Sequence, residues 1–223
     1  MRTVSVVIPC HNEEVAISKV ISSLPESILE VVVVDNNSTD NTASIAASLG
    51  ARVVTESRQG AGFSLMKGLK EAKGDIIITL DGDCQYPSEA ILGCVDYFEK
   101  KGFDFMVCSR FPLFNKDSMN IVRRFGNWFL TAAMAVLFKK GCTDSTSGMM
   151  CMRRSLLEKL SLKNGGFPFA NEVKIRAIML PGINFGEMHI DYHPREGKSK
   201  LSPLRHGFEI LMYYFILRRE LRG

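Results

Sequence analysis

Apolar residues in the first hundred positions recur with two alternating periods. VSVVIP (4–9), EVVVVD (30–35), ARVVTE (51–56) and DIIITL (75–80) are short apolar runs, the pattern of strands covered on both faces. Between them, Glu13 to Leu24, Asn41 to Leu49, Gly62 to Ala72 and Ser88 to Lys101 carry helical spacing. Pro25, Gly50 and Gly74 stop the first three, and Ser88 is placed to cap the fourth. This rhythm predicts an α/β fold, with a mostly parallel central sheet covered by helices on both faces. No repeat or linker interrupts it, so residues 1–223 read as a single domain.

In such sheets ligands bind beyond the carboxyl ends of the strands. Three polar clusters fall there: Pro9–Glu14, Asp35–Thr42 and Asp81–Gln85. In the last, DIIITL ends on two aspartates one glycine apart. Residues two apart on an extended segment point to the same side, so Asp81 and Asp83 converge. Two carboxylates about 4 Å apart repel by roughly 1 kcal/mol in water and about 4 kcal/mol near a protein surface. A hard cation such as Mg²⁺ or Mn²⁺ turns that repulsion into attraction, and Gly82 leaves space for a diphosphate. The alternative is a solvated acidic turn. Asp35 is placed to accept hydrogen bonds from a base or a ribose, with Ser38 or Asp40 capping the next helix. Gln59-Gly60-Ala61-Gly62 reads either as a phosphate cradle or as the start of a helix.

Composition narrows the classes. With 46% hydrophobic and 23% charged residues the chain folds, and a net charge of +4 is too weak to argue for nucleic acid. Six scattered cysteines without a C-x-x-C pair read as free, mostly buried thiols of a reducing compartment. The start, MRTVSVVIPCHNEE, lacks a signal-peptide layout. RRFGNWFLTAAMAVLFKK (123–140) and HGFEILMYYFILRRELR (206–222) are apolar with basic ends. Both read as too short and interrupted to span a bilayer, but both suit its interface; the alternative is a pair of core or dimer helices.

Taken in order, the motifs resemble the family 2 glycosyltransferases of the GT-A fold: VSVVIPCHNEE, VVVVDNNSTDNT, QGAGFSLMKGLKEAKGD, LDGDCQYPSEAI, CSRF (108–111), DSTSGMMCMRR (144–154) and HPREGKSKL (193–201). Within that family the chain is most similar to polyprenyl (dolichyl) phosphate mannosyl- and glucosyltransferases. The resemblance implies an inverting, metal-dependent hexosyltransferase using GDP-mannose or UDP-glucose, with Mg²⁺ or Mn²⁺ as cofactor and polyprenyl or dolichyl phosphate as acceptor. It implies that Pro9, Asn12, Glu13 and Asp35 hold the nucleoside, and that Asp81, Asp83 and Gln85 hold metal and diphosphate. Arg110 and one of Arg123 or Arg124 bind the acceptor phosphate, and Arg195 and Lys200 close over the nucleotide. Where the family often has an aromatic residue stands Cys10 or His11, and His11 is placed to stack on the base instead. A phosphate acceptor is already ionised and needs no general base, whereas a sugar hydroxyl needs one, for which Asp144 and Glu172 are the candidates. The alternative roles are Asp144 orienting an arginine and Glu172 simply sitting on a helix. The resulting expectation is an enzyme at the cytoplasmic face of a membrane, held by the C-terminal helix (about 203–222) or by a membrane-anchoring subunit. Transfer to a sugar hydroxyl, or a non-catalytic nucleotide-sugar-binding subunit, are the alternatives.

Overall fold

The computed structural model describes residues 2–197, 199 and 202–221. Seven strands form one sheet in the order β3-β2-β1-β4-β6-β5-β7. The first four are β1 (Val4–Cys10), β2 (Glu30–Asp35), β3 (Arg52–Thr55) and β4 (Ile76–Thr79), all parallel to one another. They are the four apolar runs of the sequence. β5 (Phe105–Ser109) and β7 (Phe185–His189) run the same way, whereas β6 (Met150–Arg153) is antiparallel to both β4 and β5. The inversion has a functional consequence. Six strands bring their C-terminal ends to one edge, and β6 brings its N-terminal end there, so the loop before it, 144–149, arrives at that same edge.

Alternation along the strands builds two cores. Val7, Val32, Val34, Ile77, Phe105 and Met150 face one side, against helices α3 (Ala61–Glu71), α5 (Ile121–Phe138), α6 (Phe169–Met179) and α7 (Pro203–Glu220). Val6, Ile8, Val33, Ile78, Met106 and Cys151 face the other, against α1 (Ile17–Ser22), α2 (Thr42–Ser48) and α4 (Ile91–Lys100). Each fully buried side chain of this size contributes about 1.5–3 kcal/mol of burial, which is why the double cover forms. The six cysteines are free, and all but Cys84 are buried.

Two helix starts depart from expectation. Helical spacing begins at Glu13, but α1 begins at Ile17: Glu13 opens a turn whose carbonyl accepts from Ala16 N and Ile17 N, while the N–H groups of Glu13 and Glu14 donate across to Thr42 Oγ1 (2.8 Å) and Asp40 Oδ2 (3.2 Å). Ser88 does not cap α4. It opens a 3₁₀ turn (Ser88–Ala90), and its hydroxyl meets that of Ser23 at 2.5 Å. Asp40 does take the expected capping role, accepting from Thr42 N at 3.0 Å.

α5 also corrects a sequence expectation. It is the one helix among the described residues long and apolar enough to cross a membrane, with a mean hydropathy of 1.2 and 28% of it buried. Its 18 residues reach about 27 Å, near the hydrocarbon thickness of about 30 Å. Here it packs beside α7: Leu130, Met134, Leu137 and Phe138 enter the core, and Phe125, Trp128, Phe129 and Val136 face outward.

The glycines of QGAG serve packing. A Cβ on Gly62 would lie 2.0 Å from the Gly166 carbonyl oxygen, so α3 starts against the 165–166 backbone. On α4, by contrast, a Cβ on Gly93 meets nothing within 4 Å. The same substitution therefore has opposite signs at the two positions. Gly93→Ala is expected to stabilise by about 0.5–1 kcal/mol through helix propensity and a less free unfolded chain. Gly62→Ala is expected to destabilise by about 1–3 kcal/mol through overpacking. Urea unfolding of both variants measures the difference, and equal signs would contradict the packing.

Candidate active site

The ends of β1 and β2 are clasped together. Asn12 N donates to Ser38 Oγ (3.0 Å), and Asn12 Oδ1 accepts from Thr39 N (2.7 Å). Asn12 and Asn37 hold left-handed backbone at φ 53° and 57°, which asparagine tolerates better than most residues. Asn12 thus holds the 38–39 loop against the end of β1. His11 Nδ1 is fixed 2.9 Å from the Asn36 carbonyl oxygen. The Asn36 amide donates to the carbonyls of Glu56 and Arg58, both at 2.8 Å, and its oxygen accepts from Gly60 N. Pro9 lies half-exposed near the end of β1, where it presents no N–H. Asp35 ends β2 only 8% exposed, and its Oδ1 is buried without a hydrogen-bond partner among the described residues. An orphaned buried acceptor at a strand end is what a ligand donor satisfies.

Beyond β4, Gly82 packs against Cys10: a Cβ there would lie 2.8 Å from the Cys10 sulfur. The missing side chain therefore serves close approach to β1 rather than the space for a diphosphate that the sequence suggested. Asp81 makes no hydrogen bond among the described residues. Desolvation and the neighbouring Asp83 push its carboxyl up to about 7, while Arg110 and Arg195 pull the other way. Gly148, lacking a Cβ, leaves room beside that carboxylate, 3.0 Å from where a Cβ would stand. Asp83 is buried, which raises its carboxyl against the opposing pull of Arg195. Its Oδ1 accepts from Gln85 N at 3.1 Å, and its Oδ2 is ion-paired with Arg195. Arg195 bridges from there to Glu13 Oε1 at 2.5 Å.

The segment bearing Arg195 lies along this turn. His193 N donates to the Gln85 carbonyl (2.9 Å), Glu196 N to the Asp83 carbonyl (3.0 Å), and Lys19 Nζ to Glu196 (2.8 Å). The Gln85 amide donates to the carbonyls of Ser118 and His193, both at 3.4 Å. Its nitrogen thus ties the turn to two loops, and only its Oε1 remains for the expected metal role. Lys200 lies outside the described residues. Among the described residues no group of three or more His, Cys, Asp and Glu side chains is arranged to hold a metal by itself.

At the centre of the edge Arg110, 6% exposed, meets Asp144, fully buried. The Arg110 N and Nε donate to Asp144 Oδ2 at 3.0 and 2.7 Å, and Nη2 donates to Oδ1 at 2.8 Å and to Thr146 Oγ1 at 2.8 Å. Asn127 of α5 donates to Asp144 Oδ1 at 3.0 Å, and the Tyr192 ring centroid lies 5.1 Å from the guanidinium carbon. Burial pushes the Asp144 carboxyl up, but the Arg110 charge and hydrogen bonds outweigh it and hold it below the usual range. With both oxygens engaged, Asp144 is an orienter of Arg110 and not a free base. Tyr86 and Thr79 fasten the loop further on: Gly148 N donates to Tyr86 Oη, and Thr79 Oγ1 donates to the Gly148 carbonyl, both at 2.6 Å.

Glu172 is not brought to this edge cluster. Fully buried on α6, it accepts from Lys163 N, Asn164 N (2.8 Å) and Arg176 Nε (2.7 Å). It anchors the 163–166 loop. Arg123 donates to Ser199 Oγ at 2.7 Å, which joins α5 to the Arg195 segment, and its Nε is buried without a hydrogen-bond partner among the described residues. Arg124 adjoins it, half-exposed, and both stand one helical turn before Asn127. Asn127, Thr146, Tyr86 and Thr79 are absent from the sequence-derived site. Asn127 leaves a faint signal, as an amide inside an apolar helix.

Residues 5–161 match the family model for glycosyl transferase family 2. The chain belongs to that family. This glycosyltransferase is 32% identical over 212 residues to the dolichyl-phosphate hexose transferase of Haloferax volcanii, covering 92% of this chain and 90% of that one. It is 28% identical over 221 residues to the low-salt glycan biosynthesis hexosyltransferase Agl6 of the same organism, 96% of this chain but 53% of the relative, about half its length. It is 25% identical over 226 residues to the dolichol-phosphate mannosyltransferase of Pyrococcus furiosus, covering 94% and 64%. Glucosyl-3-phosphoglycerate synthase from Mycobacterium tuberculosis, solved with Mn²⁺, UDP-glucose and phosphoglyceric acid, has a TM-score of 0.74 at 23% identity, covering 97% of this chain and 79% of that one. The glycosyltransferase has the GT-A fold.

Asp144→Asn in this glycosyltransferase leaves Arg110 buried with only neutral partners, and is expected to cost about 3–5 kcal/mol at neutral pH. Because the folded carboxyl is held low, its contribution is complete above the unfolded value and is lost as pH falls through the folded one. The stability gap between wild type and variant should therefore narrow below about pH 4. Denaturant unfolding across pH measures it, and a gap constant down to strong acid would contradict the ion pair.

Proposed function

We propose that this glycosyltransferase moves a hexose from GDP-mannose or UDP-glucose to polyprenyl or dolichyl phosphate, with inversion and with Mg²⁺ or Mn²⁺ bound. The observation that carries the reading is Arg110. It is a buried guanidinium held in fixed orientation at the sheet edge, and the carboxylate beside it is engaged by four donors. Such a group suits a phosphate, which arginine binds through planar, paired donors. A phosphate attacks the anomeric carbon without surrendering a proton to the enzyme, so the lack of a free base at Asp144 fits this acceptor. A single displacement inverts the anomeric centre. The names of the Haloferax and Pyrococcus relatives support the same acceptor class.

On the donor side, the orphaned Asp35 oxygen suits a base or ribose donor. The residues at the turn fit a divalent cation: Asp81 has no hydrogen-bond partner among the described residues, Asp83 already attracts a cationic side chain, and Mg²⁺ typically takes one or two carboxylates plus substrate phosphates. When bound, the cation neutralises the charge of the departing diphosphate. Arg195 stands at the same carboxylates, ready to contribute to that task. The Mn²⁺ and UDP-glucose of the structural neighbour support the donor class. The apolar residues that α5 and α7 expose, among them Phe125, Trp128, Phe208 and Phe215, with Arg218 and Arg219 near the end of α7, suit the cytoplasmic surface of a membrane where a polyprenyl chain resides.

Purified protein, a panel of labelled nucleotide sugars and polyprenyl phosphate in detergent test the reading directly. Asp81→Asn and Asp83→Asn are expected to abolish transfer with the fold retained, and excess EDTA to do the same; full activity under either condition would remove the metal. Glu172→Gln is expected to leave the rate within severalfold of wild type wherever it folds. A loss of about 10²- to 10⁴-fold with an intact fold is the size of a missing general base. It would move the acceptor to a sugar hydroxyl.

A further inference from the structure

α6 carries a lysine where its neighbours are apolar. Lys174 lies between Val173 and Ile175 and is fully buried. Its ammonium donates to the carbonyls of Ser145 at 2.8 Å and Ser147 at 2.5 Å. Asn171, nearly one turn earlier, donates to the same Ser145 carbonyl at 2.8 Å. No carboxylate of the described residues is hydrogen-bonded to the ammonium; Asp144 and Asp81 act on it only through space. A buried cation without a paired anion is costly, so an apolar residue would serve a merely structural helix better.

Its partners indicate its task. The two carbonyls belong to the 144–148 loop. That loop offers Asp144 and Thr146 to Arg110, and sets Gly148 beside Asp81. The charges point the same way. Arg110 and Asp144 sum to zero, so an anion docking on Arg110 meets a neutral pair unless another cation stands behind it. Lys174 is that cation.

We propose that Lys174 is a positioning residue for glycosyl transfer: its ammonium fixes the 144–148 loop from behind and supplies the uncompensated positive charge that draws an anionic acceptor onto Arg110. This rests on the phosphate-acceptor reading. Burial pushes Lys174 down to about 8, so its charge is lost in mildly alkaline solution. Of the groups that face it only Asp81 also gains charge near this range, and a variant that keeps Asp81 but lacks the ammonium isolates the share of Lys174. Burial raises Cys142 to about 12 and Tyr214 higher still, Arg110 stays charged, Asp144 is held low, and Asp81 titrates about a unit earlier. A phosphate monoester, with a second pKa near 6, is already fully ionised.

The test is calorimetric binding of farnesyl phosphate to the full chain between pH 7 and pH 9, for wild type, Lys174→Gln and Lys174→Met, with UDP and GDP titrated separately. Wild-type affinity for farnesyl phosphate is expected to fall about tenfold as pH rises through 8, the size of one lost unit charge at some 10 Å in an effective dielectric of about 20. Lys174→Gln, which keeps amide donors but no charge, is expected to bind about tenfold more weakly at pH 7 and to show no fall above pH 8, where Asp81 is already ionised, with nucleotide affinity unchanged. Lys174→Met, which removes the donors as well as the charge, is expected to bind farnesyl phosphate at least as weakly as Lys174→Gln. Should neither variant fold, the wild-type profile decides, and a flat profile overturns the proposal. Arg110→Lys separates the two layers. If it loses farnesyl phosphate while the Lys174 charge proves irrelevant, this inference alone falls. If it binds farnesyl phosphate as well as wild type, the acceptor reading beneath it falls.

Discussion

Arg110 and Asp144 face each other out of water, and the rest of the sheet edge is arranged around that contact. Removing two charges from solvent costs several kcal/mol per ion, and their attraction repays it only with near-ideal geometry and every remaining donor and acceptor satisfied. The structure meets that demand with paired hydrogen bonds, Thr146 and Asn127 as further partners, and an aromatic ring beneath the guanidinium. Such a pair contributes little net stability compared with apolar residues of equal volume. What it gives is orientation: a guanidinium that can be presented to a ligand in one pose. The antiparallel β6 makes this possible by delivering Asp144 to the edge that the parallel strands already share.

Around this pair the edge is assembled from loops that hold one another. The clasp between residues 11–14 and 36–42, the fastening of Gln85 to two carbonyl groups, and the anchoring of residues 163–166 by Glu172 all use polar side chains to fix backbone. Few polar groups of the edge are left without a hydrogen bond among the described residues: Asp35 Oδ1, Arg195 Nε and the Asp81 carboxylate. A site with most of its hydrogen bonds already made changes little on loading, which is the geometric condition for stabilising charge that develops during a reaction.

The sheet was legible in the sequence to the extent that its strands are buried on both faces. Unbroken apolar runs revealed β1 to β4 and the edge where their ends meet. β5, β6 and β7 escaped: FMVCS and MCMR are apolar but short and lie outside the alternating strand–helix rhythm, and FGEMH is mixed. Errors at helix ends share one cause: Glu13, Glu14 and Ser88 form hydrogen bonds to residues distant in sequence, which local capping rules do not foresee. The same limit governed the site. Asp144 and Glu172 looked equivalent as candidate bases, and only the partners around each distinguish an orienter of Arg110 from a loop anchor. Gly62 and Gly82 suggested ligand space by composition, yet their missing side chains accommodate the 165–166 backbone and Cys10.

The bridge from Arg195 to Glu13 spans 182 residues, nearly the whole chain. During synthesis Glu13, Asp81 and Asp83 leave the ribosome well before their counter-charge. At about 5–20 residues per second the delay between the two ends of that bridge is roughly 10–40 s. For that interval the nascent chain builds its strands around an acidic edge that still lacks the Arg195 bridge. Solvent cations must balance the edge until the last segment arrives, so the active site is completed late, after the sheet on which it stands.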